Sequence, residues 1–118
     1  EIKEEIRVNF MQSDLLEGIE KGSEWNVIVA NLPYVPDDMD VSSEVGKEPD
    51  LALFSGKDGL DHYRRLSAEL SNKSVQFDSL WIEFLPQQES EITEIFETRN
   101  VKFYNDTSGD VFFARIHS

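Results

Sequence analysis

The chain has 118 residues and a mass of 13.6 kDa, with 39% hydrophobic and 30% charged residues, which suits one small folded domain or part of a larger one. Lysine and arginine total 11 against 24 aspartates and glutamates, a formal net charge of −13 that disfavours nucleic-acid phosphates and anionic lipid as partners. With no cysteine and only two histidines, disulfides, thiolate sites and cysteine nucleophiles are excluded and a zinc centre is disfavoured.

No apolar run approaches the ~20 residues of a membrane span, and no secretory signal is visible, so a cytoplasmic protein is expected. Glu1–Glu5 is a charged lead-in, and the start at Glu1 fits a piece of a longer polypeptide. Arg7–Met11 alternates, with Val8 and Phe10 on one face, and predicts a short strand. Ser13-Asp14 opens a short helical or turn segment over Leu15–Ile19, which ends near Gly22. Trp25–Ala30 is apolar and β-branched apart from Asn26 and predicts a strand buried on both faces. It stops at Asn31-Leu32-Pro33-Tyr34. Pro36–Asp58 keeps no hydrophobic period and reads as a long acidic loop, with Leu51–Phe54 as its apolar patch.

Tyr63, Leu66 and Leu70 recur at helical spacing, predicting a helix over about Gly59–Ser71. Leu80–Leu85 predicts a second central strand, with Glu83 its odd acidic member. Gln88–Thr98 sets Ile92, Ile95 and Phe96 against acids and predicts an amphipathic helix. Val101–Tyr104 and Val111–Ile116 read as strands joined by turn residues Asp106–Asp110. Alternating strands and helices imply a mostly parallel α/β sheet with an antiparallel carboxyl-terminal hairpin. Ligands of such sheets sit beyond the carboxyl ends of the strands, so the residues after each strand matter most.

Asn31-Leu32-Pro33-Tyr34 stands at such an end. Pro33 biases Leu32 to an extended backbone and so restricts the direction of its carbonyl. The Asn31 side-chain oxygen and the Leu32 carbonyl can together accept both hydrogens of a planar NH2 group. Tyr34 can stack on the plane of that amide or base. An amide nitrogen is a poor nucleophile, so positioning and polarisation would supply most of the catalysis. The plain alternative is a capped turn after a strand.

Over Phe10 to about Arg115 the sequence resembles the carboxyl-terminal half of the HemK-type protein-(glutamine-N5) methyltransferases, which modify peptide chain release factors. The resemblance is carried by Asn31-Leu32-Pro33-Tyr34-Val35-Pro36, by Glu48-Pro49 and Ala52-Leu53, and by Gly56 through Arg64. Ser13-Asp14, Trp81-Ile82-Glu83 with Gln88, and Asp106 with Gly109 extend it. It implies a partial Rossmann-like, S-adenosylmethionine-dependent methyltransferase fold occupying residues 1–118. It assigns Asn31, Leu32, Pro33 and Tyr34 to catalysis, and Asp14, Leu15 and Asn31 to the cofactor side. Asn31, Leu32, Tyr34, Glu48 and Pro49 are assigned to the substrate, a glutamine of a release factor.

The departures from that pattern are specific. Leu32 replaces a proline, Ser55 a glycine, and Leu85-Pro86 a glycine-containing turn. The Asn-Leu-Pro-Tyr form also occurs in ribosomal RNA adenine dimethyltransferases. No glycine-rich cofactor loop precedes Asp14, so weak or no S-adenosylmethionine binding is expected of this chain alone. Sheet edges left open would favour self-association. Two other functions compete: an RNA or DNA adenine-N6 methyltransferase, against which the acidic balance counts, and a non-catalytic, methyltransferase-like interaction module.

Secondary roles also follow from the pattern. Glu83 is expected to be a carboxylate bonded to loop amides rather than a catalytic acid. Asp58 and Asp61 are expected to cap the following helix, and Tyr63 and Arg64 to brace the motif. His62 is expected to be exposed, and Trp25 and Trp81 to pack at the core or its rim. Asp37, Asp38 and Asp40 read as a solvated acidic run rather than a metal site.

Overall fold

A computed structural model of the chain describes residues 5–36, 56 and 58–117. Its elements are β1 (Glu24–Ala30), α1 (Asp61–Asn72), β2 (Gln76–Phe84), a 3-10 turn (Pro86–Gln88) running into α2 (Glu89–Ile95), β3 (Asn100–Asn105) and β4 (Phe112–His117). The strands lie in the order β1-β2-β4-β3. β1 is parallel to β2, while β4 runs antiparallel to both β2 and β3. The class is therefore α/β as expected. Among the described residues the sheet is mixed rather than mostly parallel, because the hairpin docks on β2 through β4.

The helices share one face of the sheet. Tyr63, Leu66 and Leu70 on α1 pack with Leu80, Ile82 and Phe84 on β2, Ile92 and Phe96 at α2, and Ala114 and Ile116 on β4. Each such large side chain, fully buried, contributes about 1.5–3 kcal/mol. The Ser67 hydroxyl donates to the Ile95 carbonyl at 3.0 Å and ties the two helices side by side. Phe84 meets Phe103 and Phe112 edge to face, at 5.7 and 6.0 Å between centroids. The opposite face carries Trp25, Val27, Trp81, Glu83, Arg115 and Tyr104, by the register of the strands. There the Trp81 and Tyr104 rings are 5.6 Å apart, and the Arg115 guanidinium lies 5.8 Å from the Trp81 centroid.

Two expectations are overturned and a third is resolved. Arg7–Met11 forms no strand: no described segment pairs with it, Phe10 is 94% exposed, and an unpaired strand leaves its backbone groups to water. Leu15–Ile19 takes the turn form of its two expected alternatives, with Leu15 at φ 52°. Trp25–Ala30 is an edge strand, not a strand buried on both faces. Val27 and Val29 are 55% and 74% exposed, because only β2 adjoins it and no described element covers its second face.

The turns after Ser13 are held from α1 and the residue that ends it. The Lys73 ammonium donates to the carbonyls of Leu16, Glu17 (2.9 Å) and Ile19 (2.8 Å), and Arg65 pairs with Asp14 at 3.0 Å. Sequence patterning singled out neither cation. At the other end of the chain, Asp106 accepts from the Gly109 N–H at 2.6 Å and from the Ser108 hydroxyl at 2.8 Å, closing the hairpin as its turn residues predicted.

Candidate functional site

The carboxyl ends of β1 and β2 lie side by side, since Ala30 pairs with Ile82. The residues that leave those two ends are Asn31-Leu32-Pro33-Tyr34 and Glu83–Gln88. Leu32, Pro33 and Tyr34 are half-buried and Asn31 is exposed. Leu32 and Tyr34 pack against the core, which seats the motif on the sheet end. The Asn31 side chain makes no hydrogen bond to another described residue, so its amide is open to a ligand.

Tyr34 is fixed at both its ends. Its hydroxyl donates to Glu83 Oε1 at 2.9 Å, and its carbonyl accepts from Gln88 Nε2 at 2.8 Å. Gln88, 4% exposed, also donates to the Asp58 carbonyl at 2.9 Å and accepts the Leu85 N–H through Oε1 at 2.8 Å. The Leu85 N–H can only donate, so that bond decides which end of the Gln88 amide faces it. Gly59, at φ 83°, lies against the same carbonyl. A β-carbon there would stand 2.1 Å from the Tyr34 oxygen and 2.7 Å from Gln88 Nε2. Glycine is required by both the backbone conformation and the space.

The neighbouring groups complete the frame. The Tyr63 hydroxyl donates to the Glu83 carbonyl at 2.5 Å. Glu83 therefore receives two phenols, one on its side chain and one on its backbone, and its expected loop-amide partner is instead the Tyr34 hydroxyl. Asp58 accepts the Leu60 N–H at 3.1 Å and binds the Arg64 guanidinium, which also reaches Asp61 at 3.1 Å. The side-chain hydrogen bond from Arg64 holds the Asp58 carboxyl below its usual range. The helix expectation is corrected in one respect. The residue ahead of α1 is Leu60, which offers no side-chain cap, and Asp58 secures the turn before it. His62 is half-buried rather than exposed.

Burial pushes the Tyr34 phenol well above its ordinary range, and the hydrogen bond to the Glu83 carboxylate pushes the same way. Burial likewise raises Tyr63. Both rings are therefore neutral donors at physiological pH.

The cofactor-side residues of the resemblance make only part of a site. Asp14 and Leu15 lie in the turns before β1, beside a shallow hollow lined by Gln12, Ser13, Asp14, Glu17 and Gly18. The Asp14 carboxylate is engaged by Arg65, and no described glycine-rich loop faces it. These residues do not by themselves fit a whole nucleoside cofactor. Glu48 and Pro49, like Asp37, Asp38, Asp40 and the Leu51–Phe54 patch, lie outside the described residues. Among the described residues no cluster of carboxylates and imidazoles could hold a metal ion, and no helix is long and apolar enough to cross a membrane.

No family model matches the chain. Individual proteins do. It is 40% identical over 84 residues to a release factor glutamine methyltransferase of Deinococcus radiodurans, covering 70% of this chain and 30% of that protein. It is 46% identical over 69 residues to the protein of that name from Bacillus cereus, covering 55% and 24%. The Leptospira interrogans protein of that name is 35% identical over 117 residues, 94% of this chain and 41% of the relative. The chain is therefore homologous to the HemK-type release factor glutamine methyltransferases, and it spans between about a quarter and two fifths of the length of these curated relatives.

The site's packing generates two expectations. Gly59→Ala strains the backbone and displaces the Tyr34 carbonyl, and should cost at least about 2 kcal/mol of stability in urea unfolding. An unchanged midpoint would show that the carbonyl does not need this approach. The second concerns alkaline pH. A phenol ionises normally, near pH ~10, in the unfolded chain and only with difficulty in the folded one. The stability that Tyr34 and Tyr63 contribute is thus full below about pH 10 and is lost as the pH rises beyond it. Unfolding midpoints should fall over that alkaline range, and less steeply for Tyr34→Phe; equal slopes would remove Tyr34 from the balance.

Proposed function

We propose that this chain supplies the amide-binding end of a methyltransferase that modifies a glutamine side chain in a peptide chain release factor. One observation carries the reading: an exposed asparagine and a proline-restricted carbonyl stand together at the end of β1, on a motif tied down by Glu83 and Gln88. The names of the homologous proteins point to the same acceptor.

In this reading the Asn31 side-chain oxygen and the Leu32 carbonyl accept the two hydrogens of the substrate NH2 group. That holds the nitrogen in one orientation and raises its electron density. Orientation of this kind supplies most of the rate when the nucleophile is weak. Tyr34 presents its ring to the plane of the amide, and its bond to Glu83 limits the ring's rotation. S-adenosylmethionine, when bound, supplies an electrophilic methyl group. Asp14 and Leu15 would meet one edge of it only, so the 118-residue chain alone binds it weakly or not at all. Glu48 and Pro49 are assigned to the substrate by the resemblance alone. The −13 charge favours a protein over a nucleic acid as the partner.

The deciding assay offers labelled methyl donor, a release factor and structured RNA to the whole polypeptide that carries this sequence. Label is expected in the release factor. Label in RNA alone would assign the motif to adenine, and label in neither would leave a binding module. Asn31→Ala should lower transfer by about a hundredfold or more with an unchanged fold, because Asn31 is exposed and unbonded; retained activity would remove Asn31 from the mechanism.

A second proposal concerns assembly. The exposed Trp25, Val27 and Val29 on an edge strand support self-association of the 118-residue chain. Light scattering should show a mass that rises with concentration, and a monomer at every concentration would refute it.

A further inference from the structure

We infer that Gln88 is a positioning residue for the acceptor motif, setting the direction of the Leu32 carbonyl and the Asn31 amide through the carbonyl of Tyr34. The inference rests on the proposed function for its catalytic consequence, but its structural half stands on geometry alone. Gln88 lies on the 3-10 turn after β2, 54 residues along the chain from Tyr34. It touches none of Asn31, Leu32 or Pro33 through a hydrogen bond. Its amide is nonetheless fully used: one oxygen on the Leu85 N–H and both donor directions on carbonyls.

The path from Gln88 to the acceptor atoms is short and stiff. The Tyr34 carbonyl is two residues beyond that of Leu32, and the residue between them is Pro33, whose ring fixes φ. Holding the Tyr34 carbonyl therefore restricts the peptide plane of Leu32. The other end of Tyr34 is held by Glu83, which lies on β2, the strand that leads into the turn of Gln88. Gly59 gives the carbonyl room to reach the Gln88 amide. The second Gln88 donor takes the Asp58 carbonyl, so one buried amide joins the motif to the turn that carries Asp58 and Gly59. A buried amide with all its partners can hold such a junction because losing any one of them leaves a polar group unsatisfied.

The test uses Gln88→Met, similar in length but without donors, with Gln87→Met, an exposed neighbour, as the control. In the 118-residue chain, the nuclear magnetic resonance signals of the Asn31 side-chain amide and the Tyr34 backbone amide should move in Gln88→Met and not in the control. Unmoved signals in a folded Gln88→Met protein would overturn the inference. In the whole polypeptide, kcat should fall roughly tenfold or more while the KM for the methyl donor stays within about twofold, the signature of lost orientation rather than lost binding. A kcat equal to that of the unaltered protein would overturn it too.

Gln88→Glu keeps the Leu85 acceptor but has no donor when ionised. Its transfer rate should recover on acidification, as the protonated carboxyl regains one donor, and a variant flat in pH would count against the assignment. Should the unaltered polypeptide methylate no glutamine, the proposed function fails, while the resonance shifts still decide whether Gln88 positions the motif.

Discussion

A single buried amide organises the end of this sheet. Gln88 has three hydrogen-bonding directions in use and almost no contact with water, so each of its partners must keep its place. Its partners come from three separate stretches of chain: the motif after β1, the turn before α1 and the residue that follows β2. None of these is regular structure, and backbone hydrogen bonding alone would not hold them in register. The amide does what a ladder does within a sheet, and Gly59 lets the pieces approach closely enough for it to work.

Around that junction the fold divides its labour by face. The helix side buries a continuous apolar core of leucines, isoleucines and phenylalanines, and it anchors β2 and β4 firmly. The other side carries aromatic rings with cations over them, Trp81 with Arg115 and Tyr104 with Lys102. Glu83 belongs to that second side by register, and there its carboxylate meets the Tyr34 phenol. The acceptor motif is thus held by contacts from both faces of the same strand end. Mobility at its base would cost orientation, on which the proposed amide-binding role of Asn31 depends.

Some of this was legible in the chain. The helical spacing of Tyr63, Leu66 and Leu70 located α1, and the Leu80–Leu85 run located the second half of β2, because periodic burial leaves a mark in the sequence. The turn residues at Asp106–Asp110 announced the hairpin. The acceptor motif was visible through Pro33 and through its place at the end of a strand. Less was legible where partners lie far apart. The alternation over Arg7–Met11 is as regular as that of a real strand, yet the segment has no neighbour to pair with. Trp25–Ala30 is apolar enough for a central strand but lies at an edge among the described residues. Gln88 could be matched to a family position, but its three partners could not be read from any local pattern.

The class of the fold, the acidic balance and the chemistry available at the end of β1 are all readable from the chain alone. Those follow from residue types, periodicity and the stiffness of proline, all of which act over a few residues. Tertiary structure decided that β4 rather than β3 lies against β2, that Lys73 and Arg65 hold the turns around Asp14, and that Tyr34 is gripped at its hydroxyl and its carbonyl at once. Each of those joins groups tens of residues apart. Such contacts depend on how the elements pack, and local propensity carries no information about that.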